Sequence, residues 1–404
     1  MREAIVVSGL GIVTAIGQGV QASLQSLRAE KAGLSHLDFL NTAHANIFPF
    51  GEIKQSTQEL IQSAGSSIQR GYTRTSLLGI MALQEAWQQA SLRPQQGLRI
   101  GLINATTVGG MCEVEKYYFD LLEHPEGDYS EYADTIDCAD CTHKIADHFG
   151  IRHHVSTIST ACSSSANAIM LGERMLQQNM LDIAICGGTD ALTRFTINGF
   201  NALKNIDREA CRPFDANRNG LNLGEGAAYI ILEKASQAKS RGAEALAILS
   251  GYSNFNESFH ATAPNPEGEG AYQVMHRALQ KAGLNPGDID YINAHGTATL
   301  TNDESESNAM LRLFGQLPRF SSTKCYTGHT LAAAGAVEAV LSIAALQNGL
   351  AYANLNFETP MPGSALIPQL HFESGLRMRH VMSNSFAFGG NNASLIFSQS
   401  KPLP

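Results

Sequence analysis

One cysteine in this 404-residue sequence occupies a position suited to a nucleophile. Cys162 follows a run of β-branched and small residues, 155–160, and precedes a segment with apolar residues at helical spacing, 163–179. This order predicts a strand that turns into a helix at the cysteine, with Ser163–Ser165 as capping residues. The N–H groups and partial positive charge of a helix N-terminus predict a lowered thiol pKa and a reactive thiolate. The alternative is a buried structural cysteine, which is common in protein cores.

Two histidines lie at the ends of predicted apolar elements. His295 follows a predicted strand and is flanked by glycine and hydroxyl residues, and His329 precedes a helix of small and apolar residues. A glycine turn at 386–392 is suited to aiming backbone N–H groups. A lone histidine is more often structural than catalytic, but two histidines that converge on a thiol would indicate catalysis. The sequence alone leaves their convergence open.

Composition and charge exclude several classes of protein. The chain is 44% hydrophobic and 16% charged, with a net charge of −9, which argues against binding to nucleic acid or to anionic membranes. No apolar run reaches about 18 residues, so we expect no membrane-spanning helix. The first 17 residues superficially resemble a signal peptide, but Glu3 balances Arg2 and glycines interrupt the apolar stretch, so they are interpreted as a strand and turn. Seven scattered cysteines favour reduced thiols and a cytoplasmic protein.

One segment combines cysteines and histidines at spacings that also occur in zinc sites. Cys138 and Cys141 form a single CxxC, and His143 and His148 follow. The segment 134–150 has the pattern of an amphipathic helix, and a second CxxC is missing from the sequence. The helix is therefore favoured over a metal site, and no metal site is predicted.

The elements that must position these residues follow an α/β order. Each half of the chain contains a strand, a turn and a buried helix, the first unit opening at Cys162 and the second at His329. The pattern predicts two α/β repeats in one compact body, with strands buried between helix layers. Residues 36–70 are expected to be irregular, 194–226 to form a long loop, and 111–133 to cover a pocket.

Four motifs carry a resemblance to a known family. TACSSSANA at 160–168, NAHGTAT at 293–299, KCYTGHTLAAAGAVEA at 324–339 and NSFAFGGNN at 384–392 resemble the signatures of β-ketoacyl-acyl carrier protein synthases of the KAS I/II type, with the closest likeness to aryl polyene ketosynthases. The order and spacing match over essentially the whole chain. The resemblance implies the thiolase fold, with two similar βαβαβαββ halves, 1–238 and 239–404, in a five-layered α-β-α-β-α body.

The resemblance also implies roles for individual residues. Cys162 would accept the acyl group, with the backbone N–H groups of Cys162 and Phe388 as the oxyanion hole. His295 and His329 would hold the malonyl thioester and stabilise the enolate formed as CO₂ leaves. Lys324, whose alternative is a surface lysine, would pair with Glu338 and orient His329. Supporting residues are Thr297 and Thr299 at the phosphopantetheine arm, Asn392 in the glycine turn, and Val108 and Phe200 in the acyl pocket. No metal or redox cofactor is expected, because the substrates are carried on the phosphopantetheine arm of acyl carrier protein.

This sequence departs from the family pattern at the glycine turn and in its basic residues. Ala387 and Asn391 stand where the family usually has Gly and Thr, so the movement of Phe388 is expected to differ. Only Arg70 and Arg74 stand before the first long helix. The predicted carrier-docking surface is instead the 194–218 loop, with Arg194, Lys204, Arg208, Arg212 and Arg218. A solvated loop is the alternative.

Competing functions differ in the residues that they require. A non-catalytic chain length factor would lack the nucleophile, and Cys162 is present. A thiolase would use a cysteine and a base, and a KAS III or chalcone synthase type would need Asn where His329 stands. A cysteine hydrolase and a housekeeping fatty-acid KAS I/II enzyme stay open. The expected partners are acyl carrier protein and a second subunit, in a homodimer or in a heterodimer with a chain length factor.

Overall fold

A computed structural model describes residues 3–65, 71–93, 97–127, 129, 134–364 and 366–400. The strands are β1 (Ile5–Thr14), β2 (Gly17–Gln18), β3 (Ile100–Ala105), β4 (His154–Ile158), β5 (Ile183–Asp190), β6 (Gly226–Lys234), β7 (Ala247–Asn256), β8 (Tyr291–Asn293), β9 (Arg319–Ser321), β10 (His380–Ser385) and β11 (Asn391–Ser398). The helices are α1 (Val20–Arg28), α2 (Thr57–Ala64), α3 (Arg74–Gln89), α4 (Met111–Glu123), α5 (Cys138–Phe149), α6 (Ser164–Gln177), α7 (Arg194–Ala202), α8 (Ala235–Ser240), α9 (Glu269–Ala282), α10 (Leu300–Phe314), α11 (Lys324–Thr327) and α12 (Ala334–Asn348).

The sheet is built from two five-stranded halves with the same strand order. The first half reads β4-β3-β5-β6-β1, and the second, from its far edge, reads β9-β8-β10-β11-β7. In both, the second strand in this order pairs parallel with its two neighbours, and the last two pairings are antiparallel. The short β2 pairs only with β1 and lies outside the repeat. The halves join where Val6 of β1 pairs with Ile248 of β7. The repeat predicted from the sequence is therefore a true duplication of topology.

Helices cover both halves and separate them. The central helices α6 and α12 lie in one apolar core with residues from both half-sheets. The outer face of the first half packs against α3 and α5, and that of the second against α9 and α10. The layers are therefore α-β-α-β-α, which confirms the predicted thiolase fold. The predicted boundary between residues 238 and 239 stays a prediction, and it falls inside α8.

The two central helices touch through a glycine. A Cβ on Gly335 of α12 would lie 2.8 Å from the backbone nitrogen of Ala166 on α6, so only glycine allows this approach. The stretch Leu331–Asn348 is long and apolar enough to cross a membrane, although we expected from the sequence no apolar run of this length. Of this stretch, 89% is buried inside the protein. Apolar residues on all sides are typical of such a buried core helix.

Two segments expected to be irregular contain helices. The 36–70 stretch includes α2, which begins with a capping box between Ser56 and Glu59. The 194–226 stretch begins with α7, where the Thr193 side chain accepts a hydrogen bond from the backbone N–H of Thr196. Polar residues around both helices obscured their short apolar patterns, although the capping residues were readable in the sequence. The segment expected to cover a pocket, 111–133, contains α4.

Candidate active site

Cys162 lies in a tight turn between β4 and α6. Ala161 immediately before it has a φ of 52°, a left-handed conformation that non-glycine residues seldom adopt outside constrained sites. The cysteine is only 7% exposed. The predicted strand–cysteine–helix order is confirmed, and the turn fixes the direction in which the thiol points.

The three serines after Cys162 do not cap the helix as expected. Ser163 occupies the N-cap position, but its side chain makes no capping hydrogen bond. Ser164 Oγ accepts from the backbone N–H of Thr160 at 2.7 Å, and Ser165 Oγ accepts from the backbone N–H of Ala336 on α12 at 2.8 Å. These hydroxyl groups therefore fix the turn and join the two central helices.

Burial has the largest effect on the pKa of the Cys162 thiol. Burial raises this pKa to about 11, while Lys324 and the backbone N–H groups of Phe388 and Cys162 act in the opposite direction. The expectation of a lowered thiol pKa is therefore wrong. The backbone N–H groups of Phe388 and Cys162 both interact with this sulphur, and their role as an oxyanion hole stays a prediction.

His329 lies directly beside the nucleophile. Its Nε2 atom is 3.0 Å from Cys162 Sγ, and its Nδ1 atom accepts the backbone N–H of Leu331 at 3.3 Å. Burial, followed by the charge of Lys324, lowers the pKa of His329 well below its usual value, so the ring is neutral. A neutral imidazole whose Nδ1 accepts must carry its proton on Nε2. His329 therefore presents an N–H donor to the sulphur.

Lys324 acts on His295, which corrects the expectation that it orients His329. The ammonium group contacts Glu338, the backbone oxygen of His295 at 2.7 Å and His295 Nδ1 at 3.2 Å. These three contacts use all three of its N–H donors. Lys324 is 2% exposed, which rules out the alternative of a surface lysine. Burial raises the pKa of Glu338 to about 7, against the opposing charge of Lys324.

His295 has the same tautomer as His329 for a similar reason. Its Nδ1 atom accepts from Lys324, and burial, followed by the charges of Lys324 and His329, lowers its pKa well below the usual value. The two rings lie nearly perpendicular, with centroids 5.5 Å apart. Two neutral Nε2–H donors beside one thiol are suited to stabilising negative charge on a thioester oxygen.

The same three side chains have the composition of a metal site. The possible ligand atoms of Cys162, His295 and His329 all lie within 4.8 Å of one another. Metal-bound histidines donate their second N–H to an acceptor, whereas both Nδ1 atoms here accept hydrogen bonds from donors. The surroundings therefore place protons, and not lone pairs, on the nitrogens that face the cysteine.

The cysteines outside the site are free thiols. All seven lie within the described residues, and six of them are buried, while Cys138 is partly exposed. The segment with Cys141, His143 and His148 forms α5, as predicted, and the described residues show no cluster of three possible metal ligands there.

Two cavities meet at Cys162. The first, of about 520 Å³ including its open mouth, contains both histidines, Thr297, Thr299 and Asn392 among its lining residues. The second, of about 570 Å³ measured in the same way, is lined by Val108, Leu331, Thr107, Ala161, Phe195 and Thr196. Cys162, Phe200 and Phe388 line both, and the two phenylalanine rings stack with centroids 5.7 Å apart. Thr297 and Thr299, expected at the phosphopantetheine arm, therefore line the first cavity only. Of the two residues expected in the acyl pocket, Val108 lines the second cavity only, and Phe200 lines both.

The glycine turn that carries Phe388 is held at both ends. The backbone N–H of Gly389 donates to Ala261 at 2.7 Å, and Asn391 Oδ1 accepts from Ser163, Asn167 and Asn254 at 2.8–2.9 Å. Ala387 has a φ of −121°, so alanine is unstrained in this conformation. Asn391 therefore connects the turn directly to the residue after the nucleophile.

Only part of the predicted basic surface is exposed. Arg218 is buried and donates to backbone oxygens, Arg212 pairs with Glu209, and Arg194 donates to the backbone oxygen of Asn41. The side chains of Lys204 and Arg208 are exposed. Before the first long helix, Arg74 is buried against Glu225, and Arg70 lies outside the described residues.

Sequence reasoning missed two buried carboxylates next to the site. Glu306 on α10 accepts the backbone N–H groups of His295 and Gly296 at 2.9 and 2.8 Å, and burial raises its pKa to about 7. Asp190 at the end of β5 accepts from Ala332, three residues after His329. Neither residue belongs to a recognised motif. The only indication in the sequence was an acidic residue at the end of a predicted strand for Asp190 and inside a predicted helix for Glu306.

Comparisons with known proteins agree with this geometry. Residues 2–238 match the beta-ketoacyl synthase N-terminal domain, and residues 246–358 match the C-terminal domain of the same family. The chain belongs to the β-ketoacyl synthase family. The 3-oxoacyl-[acyl-carrier-protein] synthase 2 of Staphylococcus aureus (strain COL) is 31% identical, over 98% of this chain and 99% of the relative.

Solved ketosynthase structures superpose on the same fold. The ishigamide ketosynthase/chain length factor is 29% identical with a TM-score of 0.93, covering 99% of this chain and 100% of the matched chain. The ketosynthase ApeO in complex with its chain length factor ApeC, from Xenorhabdus doucetiae, is 30% identical with a TM-score of 0.83, covering 98% of each chain. This synthase is therefore an acyltransferase-type condensing enzyme.

Proposed function

We propose that this synthase joins an acyl group held on Cys162 to the two-carbon unit of malonyl-acyl carrier protein. The observation that carries the proposal is the convergence of one thiol and two histidine Nε2–H donors at the junction of two cavities. One cavity has the residues expected to bind the carrier arm, and the other has an apolar wall suited to an acyl chain.

The first half-reaction transfers the acyl group. The Cys162 thiolate attacks the carbonyl carbon of the carrier thioester, and the negative charge on the oxygen is stabilised by the N–H groups of Cys162 and Phe388. The carbon–sulphur bond to the carrier then breaks, and the carrier leaves as a thiol with the proton that Cys162 lost. The N–H of His329 helps to stabilise the thiolate before attack.

The second half-reaction begins with loss of CO₂ from the malonyl thioester. The electrons left behind form an enolate, whose oxygen accepts the Nε2–H groups of His295 and His329. The enolate carbon attacks the acyl carbonyl on Cys162, a carbon–carbon bond forms, and the cysteine leaves as a thiolate. The residues named here carry out each step without a metal or a redox cofactor.

The test follows each half-reaction separately by mass spectrometry. Wild-type protein incubated with an acyl carrier thioester gains the acyl mass on Cys162, and addition of malonyl carrier yields a product lengthened by two carbons. Cys162→Ser is expected to lose acyl transfer, because a serine hydroxyl forms no thiolate. An acyl adduct on Cys325, or hydrolysis of the thioester without condensation, would refute the proposal.

We further propose that the acyl substrate is a conjugated polyenoyl chain and that the partner subunit is a chain length factor. Two ketosynthases similar to this one are named with a chain length factor, and the glycine turn carries Ala387 and Asn391. A polyenoyl chain is flat and rigid, so a straight slot past Val108 suits it. The acidic carrier is proposed to dock at the exposed Lys204 and Arg208.

A housekeeping role in fatty-acid elongation is the second candidate, because the S. aureus relative is a 3-oxoacyl-[acyl-carrier-protein] synthase. Co-expression with candidate partner subunits, followed by gel filtration and an assay with saturated and polyenoyl carriers, separates the two. A stable homodimer that elongates saturated chains as fast as polyenoyl chains would refute the specialised role.

A further inference from the structure

Asp190 is a completely buried carboxylate that connects two parts of the active site. Its Oδ1 atom accepts from Thr106 Oγ1 at 2.6 Å and from the backbone N–H groups of Thr107 and Val108 at 3.0 and 3.2 Å. Its Oδ2 atom accepts from Thr107 Oγ1 at 2.6 Å and from the backbone N–H of Ala332 at 2.8 Å. One carboxylate thus joins the wall of the acyl cavity to the turn that follows His329.

The turn after His329 needs support because its backbone is strained. Leu331 has a φ of 52°, which is costly for a branched residue and persists only when neighbouring groups hold it. Its backbone N–H is the donor to His329 Nδ1, and its side chain lines the acyl cavity. The bond from Ala332 to Asp190 fixes the next peptide.

We propose that Asp190 is a positioning residue that holds His329 in its donor tautomer and fixes the acyl cavity wall at Thr107 and Val108. This inference rests on the proposed condensing function. The positioning role explains why a carboxylate occupies this fully buried position. Burying a charge costs free energy unless hydrogen bonds replace the water that would solvate it. Five donors supply that solvation here.

Asp190→Asn separates the two roles because an amide has one oxygen. An NH₂ group at the Oδ1 position would face the backbone N–H groups of Thr107 and Val108. At the Oδ2 position it would face the backbone N–H of Ala332 and, at the longer distance of 3.3 Å, that of Thr107, which also donates to Oδ1, while the Thr107 hydroxyl can rotate and accept. The second orientation is less unfavourable, so the substitution is expected to detach the His329 turn and leave the cavity wall in place.

The expected result is a selective loss of the second half-reaction. Decarboxylation of malonyl carrier and condensation fall ~10–100-fold, since displacement of a catalytic group by about 1 Å has effects of that size. Acylation of Cys162 falls no more than its labelling by iodoacetamide does, and its preference for acyl length is unchanged. Labelling of Cys162 by iodoacetamide at pH 8 becomes slower, because the thiolate loses its His329 donor. The labelling needs no substrate.

Asp215→Asn is the matched control. Asp215 is also fully buried and accepts backbone N–H groups from Asn217, Glu358 and Thr359, but it does not line either cavity. Its substitution should lower the melting temperature with little effect on decarboxylation. Thr106→Val is a milder second variant that removes only hydrogen bonds on the wall side. It is expected to change acyl-length preference without loss of decarboxylation.

The outcomes distinguish this inference from the proposed function. A wild-type protein that fails to condense would refute the function itself. If the wild type condenses, then a folded Asp190→Asn protein with wild-type decarboxylation and labelling rates refutes the positioning role. Equal losses of decarboxylation in Asp190→Asn and Asp215→Asn would also refute the positioning role. If Asp190→Asn does not fold, Thr106→Val becomes the test, and an unchanged acyl-length preference in that variant refutes the role.

Discussion

Lys324→Met tests whether the buried lysine contributes to activity beyond its ion pair. The substitution keeps the length of the side chain but removes the ammonium that contacts Glu338 and His295. Glu338 is 2% exposed, and its Oε2 atom has no hydrogen-bond partner among the described residues. Removing one member of a buried ion pair leaves an uncompensated charge, so the free energy of unfolding should fall by about 3–5 kcal/mol.

The stability loss should depend on pH in a defined direction. Burial already raises the pKa of Glu338 from 4.5 to about 7. Without Lys324 this pKa rises further, so the native state holds a proton that the unfolded state releases above pH 4.5. Stability must then fall as pH rises through this range. Urea unfolding at pH 6 and at pH 8.5 should therefore show the larger loss at pH 8.5.

The double variant Lys324→Met/Glu338→Met separates stability from activity. Replacing both members of a buried pair by apolar residues is often neutral, so most of the lost stability should return. Decarboxylation should stay reduced by ~10²–10³, the usual effect of losing one preorganised donor, because His295 Nδ1 no longer has a partner that fixes its tautomer. CO₂ release from malonyl carrier measures this effect directly.

A distant buried pair supplies the control. Arg241 and Glu233 are 7% and 0% exposed at their side chains, and neither lines the active-site cavities. Arg241→Met should destabilise the protein by a similar amount without a comparable loss of decarboxylation. A stable double variant of Lys324 and Glu338 that decarboxylates malonyl carrier at the wild-type rate would refute a role for the lysine beyond structure.

Three further changes test other parts of the site. The rate of iodoacetamide labelling of Cys162 should rise steadily up to about pH 10, because the pKa of its thiol is about 11. His329→Ala should slow this labelling at neutral pH. A labelling rate that levels off below pH 8 in the wild type would contradict the raised pKa. Val108→Phe should shorten the longest acyl chain that the enzyme accepts, while the rate of malonyl decarboxylation is kept. Mass spectrometry of the products measures the chain length, and unchanged products would show that the acyl chain does not pass Val108. Charge reversal of Lys204 and Arg208 to Glu should raise KM for acidic carrier with kcat unchanged, and salt should then lower this KM because it screens the new repulsion. An unchanged KM would exclude this docking surface.

The sequence by itself determined the chemistry-bearing residues and the order of the main elements. The positions of Cys162, His295 and His329 at the ends of apolar elements follow from local patterns, which depend on neighbours a few residues away. The duplicated α/β order and the buried helix after His329 were also readable. Short helices such as α7 were missed because polar turn residues surround them and tertiary packing stabilises them.

Tertiary structure alone decided how the site residues are paired. Lys324 contacts His295, 29 residues before it, and Glu338, 14 residues after it, and no local rule selects His295 over His329 as its partner. The pKa of the thiol depends chiefly on how completely the surrounding chain excludes water from Cys162. Asp190 lies 142 residues from Ala332, so its position between the cavity wall and the His329 turn appears only once the two halves pack together. Contacts at such separations depend on the folded topology, which local sequence patterns do not encode.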